Sequence, residues 1–298
     1  MAKFSQKQVA VIINPIAGTN LPIISMLNTA FSSQGIEWRV HVTNKGTDIP
    51  LLTRQVLRSK PDVLYVLGGD GTQCAVLEGM GQNQTPVAIL PAGTANIMAK
   101  EFGIPLDLQQ AMDGFVRSEG KIRPVTRCKA NGSPFFLRLS VGVLADMVAQ
   151  ATRQKKNQLG VLAYPLSALQ SYNNSTPQIF RFGVDGKLVQ AEGISLVINN
   201  FGNVGVAGRS FLPIIDPSDE FLDVIVVQAT DLASLMALAK ATLADDTPST
   251  VMQHWRGKKI RLELPDNTLV IHDDEKRRLS TFTAQTTSHQ VCCLLPRM

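Results

Sequence analysis

The sequence predicts two domains: a doubly wound α/β domain at residues 1–123 and a β-rich antiparallel sandwich at residues 124–284. In the first part, short apolar runs that stop at polar or glycine-containing turns alternate with helix-length segments, as in a parallel sheet covered by helices. In the second part, apolar runs are separated by turn dipeptides such as Asn131-Gly132 and Asp185-Gly186, which are typical of β-hairpins. The length of 298 residues also suits about two domains.

The composition excludes several classes of protein. No apolar run approaches the roughly 20 residues of a membrane span, and residues 1–8 contain no signal-type apolar stretch, so a cytoplasmic protein is expected. Four cysteines without a Cys-x-x-Cys pair argue against a disulfide framework and a zinc site. The net charge of +5 is too small to indicate nucleic-acid binding, but it is compatible with contact to an anionic lipid surface.

The elements of the first domain converge on one edge of the predicted sheet. Strands are predicted at residues 7–13, 37–42, 62–67 and 87–90, and helices at residues 23–34, 49–59 and 73–80. A glycine-containing turn at residues 91–96 is predicted to open a further helix that runs through Lys100. Because the carboxyl ends of parallel strands share an edge, Asn14, Thr43, Asp70 and Thr94 are expected to line one crevice.

The segment Gly68-Gly69-Asp70-Gly71-Thr72 is the strongest local signal. Glycines after a buried strand leave backbone N–H groups accessible to a phosphate. A carboxylate beside a polyphosphate is repelled unless a divalent cation or a substrate hydroxyl lies between them, so Asp70 suggests phosphoryl transfer. The alternative is a tight turn in which Asp70, on an exposed loop, caps the helix that begins near Thr72.

The second domain is predicted to contain mostly hairpins, with helices at about residues 146–171 and 232–244. Residues 259–264 and 268–272 are predicted to pair across a turn at residues 265–267. Two acidic clusters each allow two interpretations. Asp273-Asp274-Glu275 is either a solvated turn or a general base with a neighbouring carboxylate, Asp273. Asp216, Asp219, Glu220 and Asp223 form either a Mg²⁺ site or an Asx-type turn. Arg153 lies either on a solvated helix face or near phosphates or anionic lipid head groups.

Four motifs resemble, in this order, those of the diacylglycerol kinase catalytic domain family, which includes bacterial YegS-like lipid kinases, sphingosine kinases and ceramide kinases. They are Asn14-Pro15-x-x-Gly18, Gly68-Gly69-Asp70-Gly71-Thr72, Pro91-x-Gly93-Thr94-x-Asn96 and Asp273-Asp274-Glu275. The second motif alone is shared with NAD kinases, whereas the four together are specific. The segment from Ser140 to Asp146 is more similar to sphingosine and ceramide kinases, in which this Asp faces the lipid head group.

The resemblance implies a set of functional residues. ATP would be bound by Asn14, Pro15, Gly18, Thr43, Gly68, Gly69, Gly71, Thr72, Thr94 and Asn96. A Mg²⁺ ion would be held by Asp216, Asp219 and the Phe221 carbonyl, Glu275 would accept the proton, and Asp146 would contact the lipid. Arg153 is added as a second candidate for the lipid on the grounds of its charge alone. The family also returns its last strands to the first domain, which implies that residues of about 285–298 join residues 1–123.

The sequence departs from the family pattern at four places. Ile97 replaces Asp after Asn96, Gln73-Cys74-Ala75 replaces Leu-Asn-Glu, and Glu220 and Asp274 replace glycines. Because the four motifs are present, the resemblance still implies an ATP-dependent lipid kinase that acts on a diacylglycerol-like or sphingoid lipid at a membrane surface. The sequence is compatible with a homodimer. The alternatives are an NAD kinase-like enzyme and a catalytically weakened lipid-binding regulatory protein.

Overall fold

The computed structural model describes residues 6–15, 21–117, 121–150, 177–203, 214–228, 251–273 and 275–297. The chain divides into two compact units, one of residues 1–125 with 289–298 and one of residues 126–288. The first unit has a parallel sheet with helices and the second has two antiparallel sheets, so the predicted fold class is confirmed.

The first unit alternates strands and helices along the chain. Its elements are β1 (Gln8–Ile13), α1 (Ile23–Ser32), β2 (Glu37–Val42), α2 (Ile49–Leu57), β3 (Val63–Gly68), α3 (Asp70–Met80), β4 (Val87–Pro91), α4 (Ile97–Glu101) and α5 (Leu108–Val116). The parallel strands lie in the order β2-β1-β3-β4. The connection from β1 leads outward to β2 on one side of the sheet, and the connection from β3 leads outward to β4 on the other side. The carboxyl ends of β1 and β3 therefore form the topological switch point, which is where open α/β sheets bind ligands.

A fifth strand of this sheet comes from the end of the chain. The strand β16 (Phe282–Leu294) pairs in parallel with β4 through Cys293 and Leu294. The residues after it pack on α5, where the Arg297 N–H donates to the Gly114 carbonyl at 3.0 Å. A methyl group at Gly114 would lie 2.8 Å from Pro296 Cβ, so this contact requires glycine. The helix α5 was not predicted, although Asp107 caps it by accepting the Gln110 N–H at 2.9 Å.

The second unit is a sandwich of two antiparallel sheets. Its elements are β5 (Ile122–Ala130, which begins in the first unit), β6 (Ser133–Phe135), β7 (Arg138–Gly142), α6 (Val143–Gln150), β8 (Gln178–Val184), β9 (Lys187–Gly193), β10 (Ser195–Asn199), β11 (Leu222–Val227), β12 (Met252–Gly257), β13 (Lys259–Glu263), β14 (Thr268–His272), β15 (Glu275–Leu279) and the first half of β16. One sheet has the order β16-β13-β8-β9 and the other β12-β11-β10-β7-β14-β15. Phe182 and Phe282 of the first sheet and Val224 and Val270 of the second belong to one buried core.

The predicted pairing of residues 259–264 with residues 268–272 is wrong. Strand β13 pairs with β16 and β8, whereas β14 pairs with β7 and β15 in the other sheet. The turn, with Asn267 at a φ of 63°, carries the chain from one layer of the sandwich to the other. Both strands thereby turn apolar residues, Leu262 and Val270, into the same core.

The predicted helices of the second domain fall largely outside the described residues. α6 begins at Val143, three residues before the predicted start, and residues 151–171 and 232–244 lie outside the described ranges. Among the described helices, none combines the length and the apolar character that a membrane crossing requires.

Candidate active site

The strand ends at the switch point are joined by hydrogen bonds. The Asn14 N–H donates to the Leu67 carbonyl at 2.9 Å, and the Thr43 N–H donates to the Ile13 carbonyl at 2.8 Å. Asn14 Nδ2 also donates to Thr72 Oγ1 at 2.8 Å, which links the end of β1 to the first turn of α3. The structure therefore brings Asn14, Thr43 and Thr72 to one edge of the sheet.

The loop of residues 68–72, after β3, and the loop of residues 91–96, after β4, are in backbone contact at Gly69 and Gly93. A methyl group on Gly93 would lie 2.6 Å from Gly69 Cα, and one on Gly69 would lie 3.3 Å from Gly93 Cα. A methyl group on Gly68 would lie 2.7 Å from Thr72 Cβ. Of Gly68, Gly69, Gly71 and Gly93, only Gly71 faces open space. Close approach of the two loops, and not only access for a ligand, explains glycine at positions 69 and 93, and the Thr72 side chain explains glycine at position 68.

The N-terminus of α3 forms an anion-binding arrangement. Gly69 is the N-cap residue and supplies no side-chain cap, and the first bond of the helix runs from the Gln73 N–H to the Gly69 carbonyl at 3.0 Å. The amide of the exposed Gly71 lies in the first turn, ahead of that bond. A helix that starts after glycines at the end of a parallel strand concentrates N–H donors and the positive end of its dipole at one point, which suits a phosphate.

Asp70 is buried, contrary to the expectation of an exposed loop. Its side chain is 3% exposed, and Oδ1 accepts the N–H groups of Ile97 at 2.6 Å and Met98 at 3.4 Å. Asp70 therefore caps α4, not the helix that it begins. Because its N–H donor is a backbone group, Ile97 supplies this contact despite its departure from the family pattern.

Lys100 is a site residue that the motifs did not reveal. It lies in the last turn of α4, and burial lowers its pKa while the nearby Asp70 carboxylate raises it. A half-buried ammonium group beside these loops supplies positive charge where a phosphate would need it. The sequence carried no separate signal for Lys100, because its place beside Asp70 follows from the cap that Asp70 forms on α4.

The remaining predicted nucleotide residues divide into three groups. Asn96, at a φ of 50°, holds its own turn because Oδ1 accepts the Gly93 N–H and Nδ2 donates to the Gly93 carbonyl, both at 2.8 Å. Pro15 and Thr94 are exposed at the edge of the sheet. Gly18 lies outside the described residues, as do Arg153 and Asp274 in the second unit.

In the second unit, Asp273 organises a loop. Its carboxylate accepts the N–H groups of Phe136, Leu137 and Arg138 at 3.0, 2.8 and 3.1 Å. Burial raises the pKa of Asp273, while these donors and the neighbouring His272 act in the opposite direction. With its own backbone at a φ of 54°, Asp273 fixes the turn between β14 and β15 and is committed to backbone donors.

Glu275 and Asp146 present carboxylates to the surface of the second unit. The side chain of Glu275 is 73% exposed and contacts Arg277 at 3.0 Å. Asp146 lies in the first turn of α6, where desolvation raises its pKa and the Arg278 guanidinium lowers it. Both therefore remain available to a substrate, in contrast to Asp273.

The predicted metal residues lie in one acidic turn. Asp216 Oδ1 accepts the N–H and the hydroxyl of Ser218, and Asp219 accepts the Phe221 N–H at 3.0 Å. Burial raises the pKa of Asp219; the Phe221 N–H and Arg256 lower it, and the neighbouring Asp223 and Asp216 raise it further.

The chemistry of this turn suits a cation, but a side chain already neutralises part of it. Arg256 contacts the Asp219 carboxylate and stacks on the Phe221 ring at 4.5 Å. Among the described residues, Asp223 Oδ2 is buried without a hydrogen-bond partner. No group of three or more His, Cys, Asp or Glu side chains able to hold a metal occurs in that part of the chain. Carboxylate and carbonyl oxygens fit Mg²⁺, with Arg256 as its competitor.

Comparison with known proteins identifies both parts of the chain. The diacylglycerol kinase catalytic domain matches residues 8–130, and the YegS C-terminal NAD kinase beta sandwich-like domain matches residues 138–288. A protein named diacylglycerol kinase from Bacillus subtilis is 26% identical over 242 residues, which cover 80% of this chain and 79% of that protein. A diacylglycerol kinase from Staphylococcus carnosus is 26% identical over 77% of this chain and 76% of its own length.

A solved structure shares the fold. The crystal structure of a diacylglycerol kinase from Bacillus anthracis superposes with a TM-score of 0.79 at 23% identity and covers 97% of both chains. Its fold supports the α/β unit and the antiparallel sandwich described above. With the two domain matches in sequence, the chain belongs to the diacylglycerol kinase catalytic domain family and carries the YegS-type C-terminal domain.

Proposed function

We propose that the protein is an ATP-dependent lipid kinase that phosphorylates a hydroxyl group of a diacylglycerol-like or sphingoid lipid. The observation that carries the proposal is the N-terminus of α3 at the β1–β3 switch point, framed by the contact between Gly69 and Gly93. Such an edge suits the phosphates of a nucleotide. The relatives named diacylglycerol kinase support a lipid as the acceptor.

In this proposal, the first unit binds the MgATP substrate. The amides of the first turn of α3 donate to its phosphates, and Lys100 contributes positive charge. Asp70 positions the loop that contains Gly93 by capping α4, and we propose that its carboxylate also orients the metal–phosphate group or the acceptor hydroxyl. Phosphoryl transfer depends mainly on such positioning and charge neutralisation.

The second unit supplies the acceptor side of the reaction. Glu275 accepts the hydroxyl proton, for which an accessible carboxylate is required, and Asp273 positions it through the turn between β14 and β15. Asp146 contacts the lipid head group. Asp216, Asp219 and the Phe221 carbonyl would hold a Mg²⁺ ion, which would neutralise the acidic turn when bound. We place the reaction at the cytoplasmic face of a membrane.

The test is transfer of labelled phosphate from ATP to a lipid extract, followed by mass analysis of the organic-phase product. A labelled lipid phosphate that is absent with Glu275→Gln supports the proposal. Labelled NADP, separated from unreacted ATP in the aqueous phase after NAD is supplied, indicates the NAD kinase-like alternative instead. Lipid binding without lipid-stimulated consumption of ATP indicates the regulatory protein.

A further inference from the structure

Gln73, near the start of α3, is a buried polar residue whose side-chain amide is only partly satisfied. It is fully buried, and its Nε2 donates to the Gly68 carbonyl at 2.9 Å. Its Oε1 is also buried and accepts no hydrogen bond from the described residues. A buried acceptor without a donor destabilises a folded protein, and a methionine or leucine of similar volume would avoid this loss. Packing therefore does not explain the glutamine, and the contact of its Nε2 with Gly68 decides its role.

The Gly68 carbonyl is held on the β4 side of β3. Besides Gln73 Nε2, it accepts the N–H of Ala92, the residue after β4, at 3.2 Å. The preceding carbonyl of β3, that of Leu67, accepts the Asn14 N–H from the β1 side at 2.9 Å. The Gly68 carbonyl therefore points toward β4 and away from β1.

The orientation of this carbonyl determines the direction of the Gly69 N–H. The peptide bond between Gly68 and Gly69 is planar and trans, so its N–H points opposite to its carbonyl. The Gly69 N–H consequently points to the β1 side, into the switch point where β1 and β3 end. Gly69 is half-buried, and its N–H forms no hydrogen bond with another described residue. A backbone donor that the fold leaves without an acceptor at this edge is available to a bound anion.

We propose that Gln73 is a positioning residue for phosphate binding, which holds the Gly68–Gly69 peptide so that the Gly69 N–H donates to a phosphate of the nucleotide. This inference rests on the proposed function, because that function supplies the nucleotide. Gln73 acts through the peptide and does not touch the phosphate. Glycine on both sides of the peptide leaves it free to rotate, since no Cβ restricts the flanking dihedral angles. The bond from Ala92 is the longer of the two that restrain it, so Gln73 supplies the closer restraint.

A purely structural role for Gln73 predicts a different effect on stability. If the glutamine served the fold, its replacement by an apolar residue would lower the melting temperature. In our proposal, the replacement leaves the Gly68 carbonyl with the Ala92 N–H and removes the unpaired Oε1, so stability should be unchanged or higher. A residue that serves binding at the expense of stability is common at functional sites.

The experiment measures the binding of MgATP and of inorganic tripolyphosphate to the full chain by calorimetry, together with the melting temperature of each variant. Gln73→Met keeps the unbranched shape and the helix propensity of glutamine without its hydrogen-bonding groups. Gln73→Leu is a second apolar variant of similar volume. The matched control is Thr126→Val in the second unit, because Thr126 is also fully buried and its hydroxyl oxygen has no hydrogen-bond partner among the described residues.

We expect Gln73→Met to bind MgATP and tripolyphosphate about tenfold more weakly than the wild type. Tenfold is the lower end of what a hydrogen bond to a charged group contributes, and the variant loosens the Gly69 donor without removing it. Its melting temperature should equal or exceed that of the wild type, and the KM for ATP should rise by the same factor as the dissociation constant. Thr126→Val should show the same direction of change in melting temperature with unchanged binding of both ligands.

Several results would overturn the role of Gln73. They are wild-type affinity for both ligands in the two Gln73 variants, and a loss of affinity for MgATP alone, which would place the effect at the nucleoside. A melting temperature that falls by several degrees in both variants, or failure of both to fold, would show that Gln73 serves the fold instead.

Phosphate transfer to a detergent-dispersed lipid separates this inference from the proposed function. Transfer by the wild type combined with normal ATP binding by the variants refutes only the role of Gln73. Weaker binding in the variants, without transfer to lipid by the wild type, supports that role and refutes the kinase. A wild type that binds neither MgATP nor tripolyphosphate refutes both.

Discussion

Replacement of Asp70 by Asn tests its structural role and its proposed catalytic role through two different measurements. Asp70 Oδ1 accepts N–H groups from Ile97 and Met98 inside the protein. Asn keeps an oxygen that can accept these bonds, but it removes the negative charge and buries an NH₂ group that needs an acceptor of its own. The substitution therefore affects the cap of α4 and any contact with the metal–phosphate group together.

The expected loss of stability follows from the buried, charge-assisted hydrogen bonds. Bonds to a charged group contribute about 1.5–3 kcal/mol, and Asn retains part of this, so we expect a loss of about 2 kcal/mol. For a protein of this size, that corresponds to a decrease in melting temperature of roughly 4–8 °C. If Asp70 also orients the reacting groups, kcat should fall at least about 100-fold at a temperature where the variant is folded.

The assay combines calorimetry with phosphate transfer to a dispersed lipid, and Asp107→Ala is the control. Asp107 caps α5 through the Gln110 N–H, so its removal should cost about 1 kcal/mol and leave turnover unchanged. Asp70→Asn with turnover within about tenfold of the wild type would show that Asp70 is only a helix cap. An unchanged melting temperature would refute the capping argument itself.

Four further predictions follow from other contacts. Gly93→Ala should lower the melting temperature and weaken ATP binding by about tenfold or more, because the new methyl group would lie 2.6 Å from Gly69 Cα; unaltered ATP titrations would contradict this. Glu275→Gln should lower kcat about 100-fold and leave the KM for ATP and the melting temperature unchanged, since its side chain is 73% exposed; unchanged turnover would place the base elsewhere. Arg256→Gln should increase the thermal stabilisation by Mg²⁺, because the arginine competes for the acidic turn, and equal shifts in wild type and variant would argue against a cation there. Burial raises the pKa of the Cys293 thiol from 9.0 to about 12, so the stability due to its neutral form is complete below pH 9 and is lost as the pH rises toward 12. Between pH 9 and 10, the free energy of unfolding measured in urea should therefore decrease less in Cys293→Ala than in the wild type, by up to about 1.4 kcal/mol. Equal pH dependence of the free energy of unfolding in the two proteins would refute the raised pKa.

Most elements of the first unit could be predicted because local signals determine them. The strand β2 and the start of α2 agree with the prediction, and β3 is displaced by one residue. Buried parallel strands are continuous apolar runs, and glycines mark their ends. Helix α3 begins three residues earlier than expected because the glycines at its start reduced the apparent helical propensity, although the first turn tolerates them.

The partners of the acidic residues could not be predicted in the same way. Asp70 and Asp273 stand in turns where chemistry or a local cap is the obvious interpretation, yet their hydrogen-bond donors lie 27 and about 135 residues away in sequence. The assignment of β13 and β14 to different sheets has the same origin. The apolar pattern shows that both strands bury one face, but only the packing of the sandwich decides which neighbours they have.

The strand β16 has a consequence for biosynthesis. Its final residues, paired with Val87 and Ala88, complete a row of parallel strands, β1 to β4, that are translated about two hundred or more residues earlier. During translation, β4 therefore leaves the ribosome with an unsatisfied edge, which stays exposed to wrong partners until the rest of the chain has followed. A fragment of residues 1–125 alone would keep that edge permanently, so expression of the first unit by itself would require residues 289–298 to be joined to it.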